Sequence, residues 1–323
     1  MMSPTTTPTA LLTDAETFPF TEEERATLQR AGIELDELAG HDPAELSARA
    51  PTADCVFVYH ARIDAPLIAQ LERCRVIVRC GVGYDKVDVP AARAAGIEVA
   101  YVPDSAVEDV ADHTLALILA CARRLTLADR TVREGQWLTP DAFGPMHRLG
   151  SRTLGLFGLG RIASAVARRA QAFGMTVLAH DPFVEQATVP DVRLVDEEAL
   201  LASADVVSLH VPLSPATQGL IDSRRLSLFK PGAILVNTSR GGLVDEAALL
   251  EALSAGRLAG AGLDVFEHQP LDPSSPLLSR SDVVVTPHCA AYSVESLGDL
   301  RRRAIDEAIR VLEGAPPLHP VPA

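Results

Sequence analysis

The sequence predicts an α/β protein with two domains, each built on a parallel sheet that helices cover on both faces. Two observations support this. Apolar runs alternate with amphipathic stretches along most of the chain, and one long helical stretch interrupts the alternation before it starts again. The 323 residues are enough for two domains with cores of their own. Hydrophobic residues make up 47% of the chain and charged residues 22%, which is typical of soluble globular proteins.

The first block of the chain contains four predicted strands, in 10–14, 55–60, 75–81 and 97–103. Three amphipathic stretches between them predict helices, in 20–32, 65–74 and 87–96. A helical pattern then covers 105–135. It is too long for a simple crossover and predicts one helix that bridges two domains, so the boundary is placed near Pro103.

The second block contains six predicted strands, in 153–158, 175–181, 206–212, 233–239, 259–265 and 282–288. A helix is predicted over 161–174, with Ile162, Val166, Ala170 and Phe173 on one face. The last helical pattern, 295–314, is expected to return to the first block. The sequence therefore predicts a domain formed by 1–103 and 292–323, which is split by a second domain, 104–291.

Charge and cysteine content narrow the class of protein. The net charge of −14 disfavours nucleic acid as a partner, because binding phosphates needs an excess of Lys and Arg. The five cysteines form no C-x-x-C pair, so idle thiols in a reducing compartment fit better than disulfides or zinc. The first ten residues are expected to be a loose tail rather than a signal peptide, and the longest apolar run, 115–122, is too short for a membrane span. We therefore expect a cytoplasmic protein.

Residues 158–163 read GLGRIA, a G-x-G-x-x-A pattern between a predicted strand and a predicted helix. In such a pattern Gly158 permits a tight turn, Gly160 lets the backbone approach a pyrophosphate, and Ala163 lets the helix pack close to the strand. Asp181 ends the next strand, where an acid binds the ribose hydroxyls of the adenosine. No arginine follows Asp181 directly, which favours NAD over NADP. The pattern predicts a dinucleotide-binding domain, with a chance glycine turn as the alternative.

Two further side chains lie at predicted strand ends of the second block. Arg240 follows the strand in VNTSRGG, and an arginine there can bind a carboxylate through two hydrogen bonds. An isolated arginine is more often part of a surface ion pair. His288 ends the strand in VTPHCAAYS, and a histidine titrates in the range that suits proton transfer near neutral pH. Any single histidine is more often structural than catalytic.

The first block carries a glycine-rich loop of its own. Residues 79–85 read RCGVGYD and follow a predicted strand. Backbone N–H groups in such a loop can bind an anion, and a plain turn is the alternative.

Six segments together resemble the D-isomer-specific 2-hydroxyacid dehydrogenases. They are GLGRIA (158–163), HDP (180–182), HVPLSPATQGLI (210–221), NTSRGGLVDEAAL (237–249), GAGLDVFE (260–267) and TPH (286–288). The resemblance extends from about residue 50 to residue 312. RCGVGYDKVDV and VEDVADHTLALIL are similar to the branch that contains C-terminal-binding-protein-like and phosphoglycerate dehydrogenases.

This resemblance implies a Rossmann cofactor domain, a flavodoxin-like substrate domain split in sequence, and a homodimer. It implies NAD(H)-dependent hydride transfer to or from C2 of a small 2-keto or 2-hydroxy acid. Arg240 would bind and polarise the substrate, and His288 would be the acid in reduction and the base in oxidation. The residues implied near the cofactor are Gly158, Gly160, Arg161, Ile162, Asp181, His210, Pro212, Thr217, Thr238, Ser239, Asp264 and Ala290. Those expected near the substrate are Arg79, Val82, Gly83, Arg240 and His288, and no metal is expected.

One position departs from the family pattern. The pattern has a glutamate five residues after the position of Asp264, and this chain has Gln269 there, with Glu267 two residues earlier. A glutamine can orient the imidazole of His288 but adds no charge. Formate dehydrogenases of the same superfamily carry glutamine here, so a formate- or phosphite-like small-anion dehydrogenase is an alternative. An NAD(H)-sensing binding protein of the corepressor type is another, and the sequence leaves open whether Gln269 or Glu267 is the partner of His288.

Overall fold

The computed structural model describes residues 7–322, so the first six residues of the predicted tail lie outside the described residues, as does Ala323. The described residues form two compact units. The first unit comprises the residues up to Ala106 and those from Ser293 onward, and the second unit is Val107–Tyr292.

The first unit contains a five-stranded parallel sheet. Its strands are β1 (Thr9–Leu12), β2 (Glu34–Glu37), β3 (Cys55–Val58), β4 (Val76–Arg79) and β5 (Glu98–Tyr101), in the order β2-β1-β3-β4-β5. This is the flavodoxin-like order, which the family resemblance implied. The sequence did not predict β2, because its residues read ELDE and lack the apolar run that marks a strand. Only the edge position of β2 makes so polar a strand possible.

Four helices of the first unit have side-chain caps at their N-termini. They are α1 (Glu22–Arg30), α2 (Pro43–Arg49), α3 (Ala65–Ile68) and α4 (Val89–Ala94). In α1 the cap is a capping box between Thr21 and Glu24. The helix predicted over 65–74 is mostly wrong, because only its first four residues are helical and a series of turns follows.

The second unit contains a seven-stranded parallel sheet. Its strands are β6 (Thr153–Phe157), β7 (Thr176–His180), β8 (Val192–Leu194), β9 (Val206–Leu209), β10 (Ala233–Asn237), β11 (Leu258–Leu263) and β12 (Val283–Val285). Their order is β12-β11-β10-β9-β6-β7-β8, which confirms the predicted Rossmann topology. The strand order reverses between β6 and β9. In open α/β sheets, ligands bind outside the carboxyl ends of the strands at such a point.

The helices of the second unit are α5 (Val107–Ala122), α6 (Leu125–Arg133), α7 (Arg161–Ala172), α8 (Glu197–Ser203), α9 (Ser223–Leu228) and α10 (Glu246–Ser254). The prediction of one helix over 105–135 is wrong, because Arg124 adopts a left-handed backbone (φ 52°) that separates α5 from α6. Phe173 was predicted on the buried face of α7 but is 47% exposed, since the helix ends one residue earlier.

The last helix, α11 (Val294–Leu312), packs in the first unit against α1, β3 and β4. Its buried face includes Leu300, Ala304, Ile305 and Ala308. The buried carboxylate of Glu307 accepts hydrogen bonds from the N–H groups of Leu318 and His319, which anchors the segment after the helix. Across residues 7–322, no helix has the length and apolar character needed to cross a membrane.

Candidate active site

The turn from β6 to α7 carries the predicted glycine motif. Gly158 has φ 85°, and a Cβ atom at this position would lie 2.8 Å from the carbonyl oxygen of His210. Both facts require glycine. Ala163 is fully buried, and Ile162 packs beside the core of the unit, so the start of α7 lies close to the sheet.

Gly160 differs from Gly158, because nothing in the protein requires a glycine there. Its φ is −76°, and a Cβ atom would have no protein atom within 4 Å. Gly160 is the N-cap residue of α7, and no side chain caps the first turn of this 12-residue helix. Gly160 and Arg161 line an open cavity of about 480 Å³ at this end of the helix, and Arg168 lines it about two turns further along. Bare helix N–H groups, a positive helix end and Arg161 suit the pyrophosphate of a dinucleotide.

Asp181 lies immediately after β7 and is hydrogen-bonded to the glycine turn. One carboxylate oxygen accepts a hydrogen bond from the Leu159 N–H at 2.8 Å, and the other accepts from the Phe183 N–H at 2.9 Å. The carboxylate is therefore held at the carboxyl edge of the sheet, beside the turn. A dinucleotide that binds over this turn would place its adenosine ribose within reach of Asp181.

The carboxyl end of β9 contributes His210 and the loop that follows it. The imidazole Nε2 of His210 lies 2.9 Å from the hydroxyl of Ser208, and burial lowers the pKa of His210 to about 4. The ring is therefore neutral at pH 7. Thr217 closes the loop, since its hydroxyl donates to the carbonyl of Pro212 at 2.7 Å and accepts from the N–H of Ser214.

The carboxyl end of β10 holds Arg240 through a network of short hydrogen bonds. The side-chain amide of Asn237 donates to the carbonyl of Arg240 and accepts from the N–H of Ser239. The hydroxyl of Ser239 donates to the carbonyl of Leu209, which ties this loop to β9. Thr238 is buried, and its hydroxyl lies 2.9 Å from that of Thr114 on α5. The backbone at Arg240 is thus fixed on both sides.

Gly241 brings the Arg240 loop into direct contact with the loop after β11. A Cβ atom at Gly241 would lie 1.9 Å from the carbonyl carbon of Phe266 and 2.4 Å from the backbone nitrogen of Glu267. No other residue type fits, although the backbone at Gly241 is not left-handed. The sequence showed this glycine only as part of a family pattern, and its steric role depends on the tertiary structure.

His288 and Gln269 form the central contact of the site. His288 Nδ1 lies 2.8 Å from the side-chain oxygen of Gln269, and the Gln269 side-chain nitrogen donates to the carbonyl of Phe266 at 3.3 Å. This second bond orients the amide, because only its nitrogen can donate to a carbonyl. Nδ1 of His288 must then carry the proton, which leaves Nε2 as the ring atom that faces away from Gln269. The contact shown for Glu267 is a different one, since its backbone N–H donates to the carboxylate of Glu246.

The backbone at His288 is left-handed (φ 55°), and Asp264 at the end of β11 holds it there. The carboxylate of Asp264 is fully buried and accepts from the N–H groups of Cys289 and Ala290, both at 2.9 Å. It also accepts from the hydroxyl of Thr286 at 2.6 Å. His288 itself donates its N–H to the carbonyl of Asp264. Here Asp264 acts as a clamp on the loop that carries the histidine.

His113 on α5 extends this network. Its Nε2 lies 3.0 Å from the hydroxyl of Thr286 and 3.6 Å from the carboxylate of Asp264. His113, Asp264 and Cys289 could each offer a metal ligand, within 4.8 Å of one another. The nearest Asp264 oxygen already accepts two hydrogen bonds, so the arrangement is better explained as a bonded loop support. Burial and the charge of Asp264 raise the pKa of Cys289, so this thiol is a poor nucleophile.

In the first unit, the glycine-rich loop begins at Arg79 on the carboxyl end of β4. The guanidinium lies over the Tyr59 ring, 5.8 Å from its centroid, and folds across Gly81. Gly81 has φ 141°, and a Cβ atom there would meet the guanidinium at 2.7 Å. Within residues 7–322, we find no protein acceptor for the N–H groups of Val82 and Gly83. The loop can therefore offer two backbone donors beside an arginine, as an anion nest requires.

Sequence reasoning identified the strand ends and most side chains at them, but it missed the support from α5. His113 and Thr114 come directly before the apolar run 115–122 of α5, and two polar residues beside that run were the available signal. It also left the partner of His288 open, and the structure places Gln269 rather than Glu267 in contact with the ring.

Taken together, the Rossmann topology, the glycine turn with Asp181 and the supported histidine and arginine loops define a dinucleotide-binding dehydrogenase domain. The comparisons with known proteins agree. A family profile described as "D-isomer specific 2-hydroxyacid dehydrogenase, NAD binding domain" matches residues 115–290. The chain belongs to the D-isomer specific 2-hydroxyacid dehydrogenase family, and its cofactor is NAD.

Three relatives illustrate the range of the family. A D-3-phosphoglycerate dehydrogenase of Archaeoglobus fulgidus is 40% identical over 301 residues, which are 92% of this chain and 57% of the relative. A glyoxylate reductase of Korarchaeum cryptofilum is 43% identical over 261 residues, 79% of this chain and 78% of the relative. A D-lactate dehydrogenase of Aquifex aeolicus, solved with NAD and lactic acid, is 29% identical with a TM-score of 0.84, covering 94% of this chain and 96% of that one. The chain thus spans little more than half the length of the first of these relatives.

Proposed function

We propose that this protein is an NAD(H)-dependent oxidoreductase that transfers a hydride between the nicotinamide and C2 of a small 2-keto or 2-hydroxy acid. The observation that carries the proposal is the contact between His288 Nδ1 and the Gln269 oxygen. It leaves Nε2 of His288 as the atom that meets the substrate oxygen. In the neutral ring Nε2 is a base for alcohol oxidation, and in the imidazolium it is an acid for keto-acid reduction.

Arg240 and the glycine-rich loop of the first unit bind the substrate in this proposal. Arg240 binds the substrate through its guanidinium and polarises the keto group, since a fixed cation stabilises the charge that develops on that oxygen. The N–H groups of Val82 and Gly83 bind the substrate carboxylate, with Arg79 beside them. We assign the binding of the substrate carboxylate to the first unit, and cofactor binding together with Arg240 and His288 to the second.

The dinucleotide, when bound, supplies or accepts the hydride. Gly160 and Arg161 would hold its pyrophosphate, and Asp181 the adenosine ribose. His210, Pro212 and Thr217 on the loop after β9 belong to the same edge of the sheet, as do Thr238, Ser239 and Ala290. We propose that the loops formed by these residues flank the nicotinamide half, while Asp264 keeps the His288 loop in place.

The test is NADH oxidation at 340 nm with a panel of 2-keto acids, from glyoxylate to phosphonopyruvate, in the wild type and in the variants Arg240→Gln and His288→Asn. Turnover of at least one keto acid, lost by on the order of a thousandfold in either variant while NADH still binds, supports the proposal. Tight NADH binding without turnover across the panel contradicts it. That result favours an NAD(H)-sensing binding protein of the corepressor type.

One observation favours a second activity, oxidation of a formate- or phosphite-like small anion. The partner of His288 is a neutral amide, so the site lacks the carboxylate that would favour a protonated ring. Formate oxidation releases a hydride with no alcohol proton to remove, and an uncharged partner suffices for it. NAD reduction with formate or phosphite but not with any 2-hydroxy acid would establish this activity instead.

We further propose a homodimer that forms through the second unit, in the cytoplasm. Trp137 is 88% exposed, and Leu125 and Val132 on the preceding helix α6 are also exposed. Leu125 and Val132 are seven residues apart and so lie on one face of α6, and exposed apolar faces of this kind mark interaction sites. Light scattering should give the mass of a dimer, and Trp137→Glu should shift it toward the monomer. The five cysteines are free thiols, as a reducing compartment would keep them.

A further inference from the structure

Helix α5 packs across three neighbouring strands of the second unit. The sheet order places β11 between β10 and β12, and α5 contacts all three strands. The loop after β10 carries Arg240, and the loop after β12 carries His288. Since neighbouring strands lie about 4.8 Å apart, the two loops start from strands about 10 Å apart. One helix can therefore support both loops, although they are distant in sequence.

Gly262 on β11 lets α5 lie close to the sheet. A Cβ atom at this glycine would lie 3.0 Å from the Cβ atom of Leu117 and 3.4 Å from the Sγ atom of Cys121. Leu117 and Cys121 are buried, and their spacing places them on one helix face with the buried Thr114. A glycine within a strand often marks such a close approach. A larger residue at 262 would push this face of α5 away from the strands.

Thr114 binds the loop that carries Arg240. Its hydroxyl donates to the carbonyl of Val110 at 2.7 Å and lies 2.9 Å from the hydroxyl of Thr238. Because Thr114 has given its one hydroxyl proton to the carbonyl, Thr238 must donate to Thr114. Both threonines are buried, where an unpaired hydroxyl would be costly. The segment two residues before Arg240 is thus fixed to α5.

His113, the neighbour of Thr114 on α5, supports the loop that carries His288. Thr286 donates its hydroxyl proton to the buried carboxylate of Asp264 at 2.6 Å. The Thr286 oxygen must then accept from His113 Nε2, which lies 3.0 Å away, so this nitrogen carries a proton. A chain of hydrogen bonds therefore leads from α5 through Thr286 to Asp264. The Asp264 carboxylate in turn holds the two N–H groups that follow His288.

We propose that His113 and Thr114 are positioning residues for the reaction, because they hold the two loops of the site at a fixed separation from one helix. The inference rests on the proposed function and adds two residues to it. Arg240 polarises the substrate carbonyl and His288 exchanges a proton with the same oxygen, so both must reach one atom at once. His113 acts through His288, whereas Thr114 acts through Arg240.

The first experiment measures reduction of the best keto acid by His113→Leu and Thr114→Val, with rates expressed per NADH-binding site so that only folded protein is counted. His113→Leu should lower kcat by about tenfold to a hundredfold with little change in KM, because the proton donor is displaced. Thr114→Val should lower kcat and also raise KM, because Arg240 binds the substrate. His113→Gln and Thr114→Ser keep the hydrogen-bonding groups and should restore most of the activity.

Double variants show whether each residue acts through its own loop. His113→Leu should not lower the residual rate of His288→Asn any further, and Thr114→Val should not lower that of Arg240→Gln. Thr131→Val on α6 is the matched control, since it removes a buried hydroxyl that donates to carbonyls of its own helix. It should keep wild-type kinetics. Effects that multiply in the double variants, or an equal fall of kcat in Thr131→Val, overturn the proposal.

Imidazole NMR separates this inference from the reaction itself. Spectra of the NADH-loaded protein with ¹⁵N-labelled histidine report the ring tautomers, and His288→Asn identifies the His288 signals among the nine histidines. The Nδ1–H tautomer that the contact with Gln269 requires should be lost or mixed in His113→Leu and kept in Thr131→Val. If no keto acid is reduced but the signals change in this way, the proposed function fails and the support from α5 stands. If keto acids are reduced and both His113→Leu and Thr114→Val match the wild type, the support fails and the reaction stands.

Discussion

Replacing Gln269 by glutamate tests the role of the amide that orients His288. The new carboxylate would lie where the Gln269 oxygen now lies, 2.8 Å from His288 Nδ1. With the charges centred about 4 Å apart, their attraction is about 1 kcal/mol in a water-like environment and about 4 kcal/mol at an effective dielectric constant of 20. Both side chains are exposed, so the lower part of this range applies. The substitution should therefore raise the pKa of His288 by about one unit, or 1.4 kcal/mol.

The sign of the effect on the reaction follows from the role of the ring. Keto-acid reduction needs the protonated imidazole, so kcat/KM for reduction falls as pH rises through the pKa of His288. In Gln269→Glu the falling limb should lie about one pH unit higher than in the wild type. The assay is NADH oxidation with the best keto acid between pH 5 and pH 10, with salt held constant.

Glu267→Gln is the matched control, since it exchanges the same two side-chain types two residues away, where the structure shows no contact with the ring among the described residues. Its pH profile should coincide with that of the wild type. An unmoved limb in Gln269→Glu, or a limb that also shifts in Glu267→Gln, would refute the idea that the residue at 269 sets the protonation of His288.

Three further predictions concern the support of the site. Gly160→Ala should leave the melting temperature unchanged, since the methyl group meets no protein atom, but should weaken NADH binding by about tenfold or more in a fluorescence titration; unaltered affinity would argue against a pyrophosphate at this turn. Gly241→Ala should destabilise the fold by about 3 kcal/mol and reduce kcat/KM, because its Cβ would collide with the carbonyl of Phe266. A wild-type melting temperature in calorimetry together with a wild-type kcat/KM would contradict this. His210 is neutral in the fold, with a pKa of about 4 against an ordinary 6.5, so below pH 6.5 only the unfolded chain takes up its proton. In denaturant unfolding, the free energy of unfolding of the wild type should fall by about 2 kcal/mol more than that of His210→Gln between pH 7 and pH 5. Equal falls in the two proteins would contradict a lowered pKa of His210 in the fold.

The fold was largely predictable because its strongest signals are local. Buried parallel strands such as β3 and β9 are short apolar runs, and their alternation with amphipathic helices indicates the α/β class without any tertiary information. The glycine turn at 158–160 was predictable for the same reason, since the strand, the turn and the helix are contiguous in the chain. The errors occurred where local signals are weak or misleading. In β2, edge pairing overrides the polar sequence, and at Arg124 the backbone turns while the helical periodicity continues.

The sequence alone determined which chemical groups are available. Parallel strands point their carboxyl ends to one edge, so Asp181, Arg240, Asp264 and His288 could be assigned to a common edge from their positions after apolar runs. The family resemblance added roles to these residues. It could not show whether Gln269 or Glu267 meets His288, since neighbouring loop residues point in different directions and the choice depends on the carbonyl of Phe266.

Only the tertiary structure decided how these groups are held and what surrounds them. The contact of Gly241 with Phe266, the clamp of Asp264 on the His288 loop and the hydrogen bonds of α5 to Thr238 and Thr286 each join segments that are distant in sequence. Such contacts depend on strand order and register, which no local pattern encodes. The sequence therefore shows which chemical groups the protein has. The geometry that would select a substrate depends on how the loops at the carboxyl ends of the strands pack together.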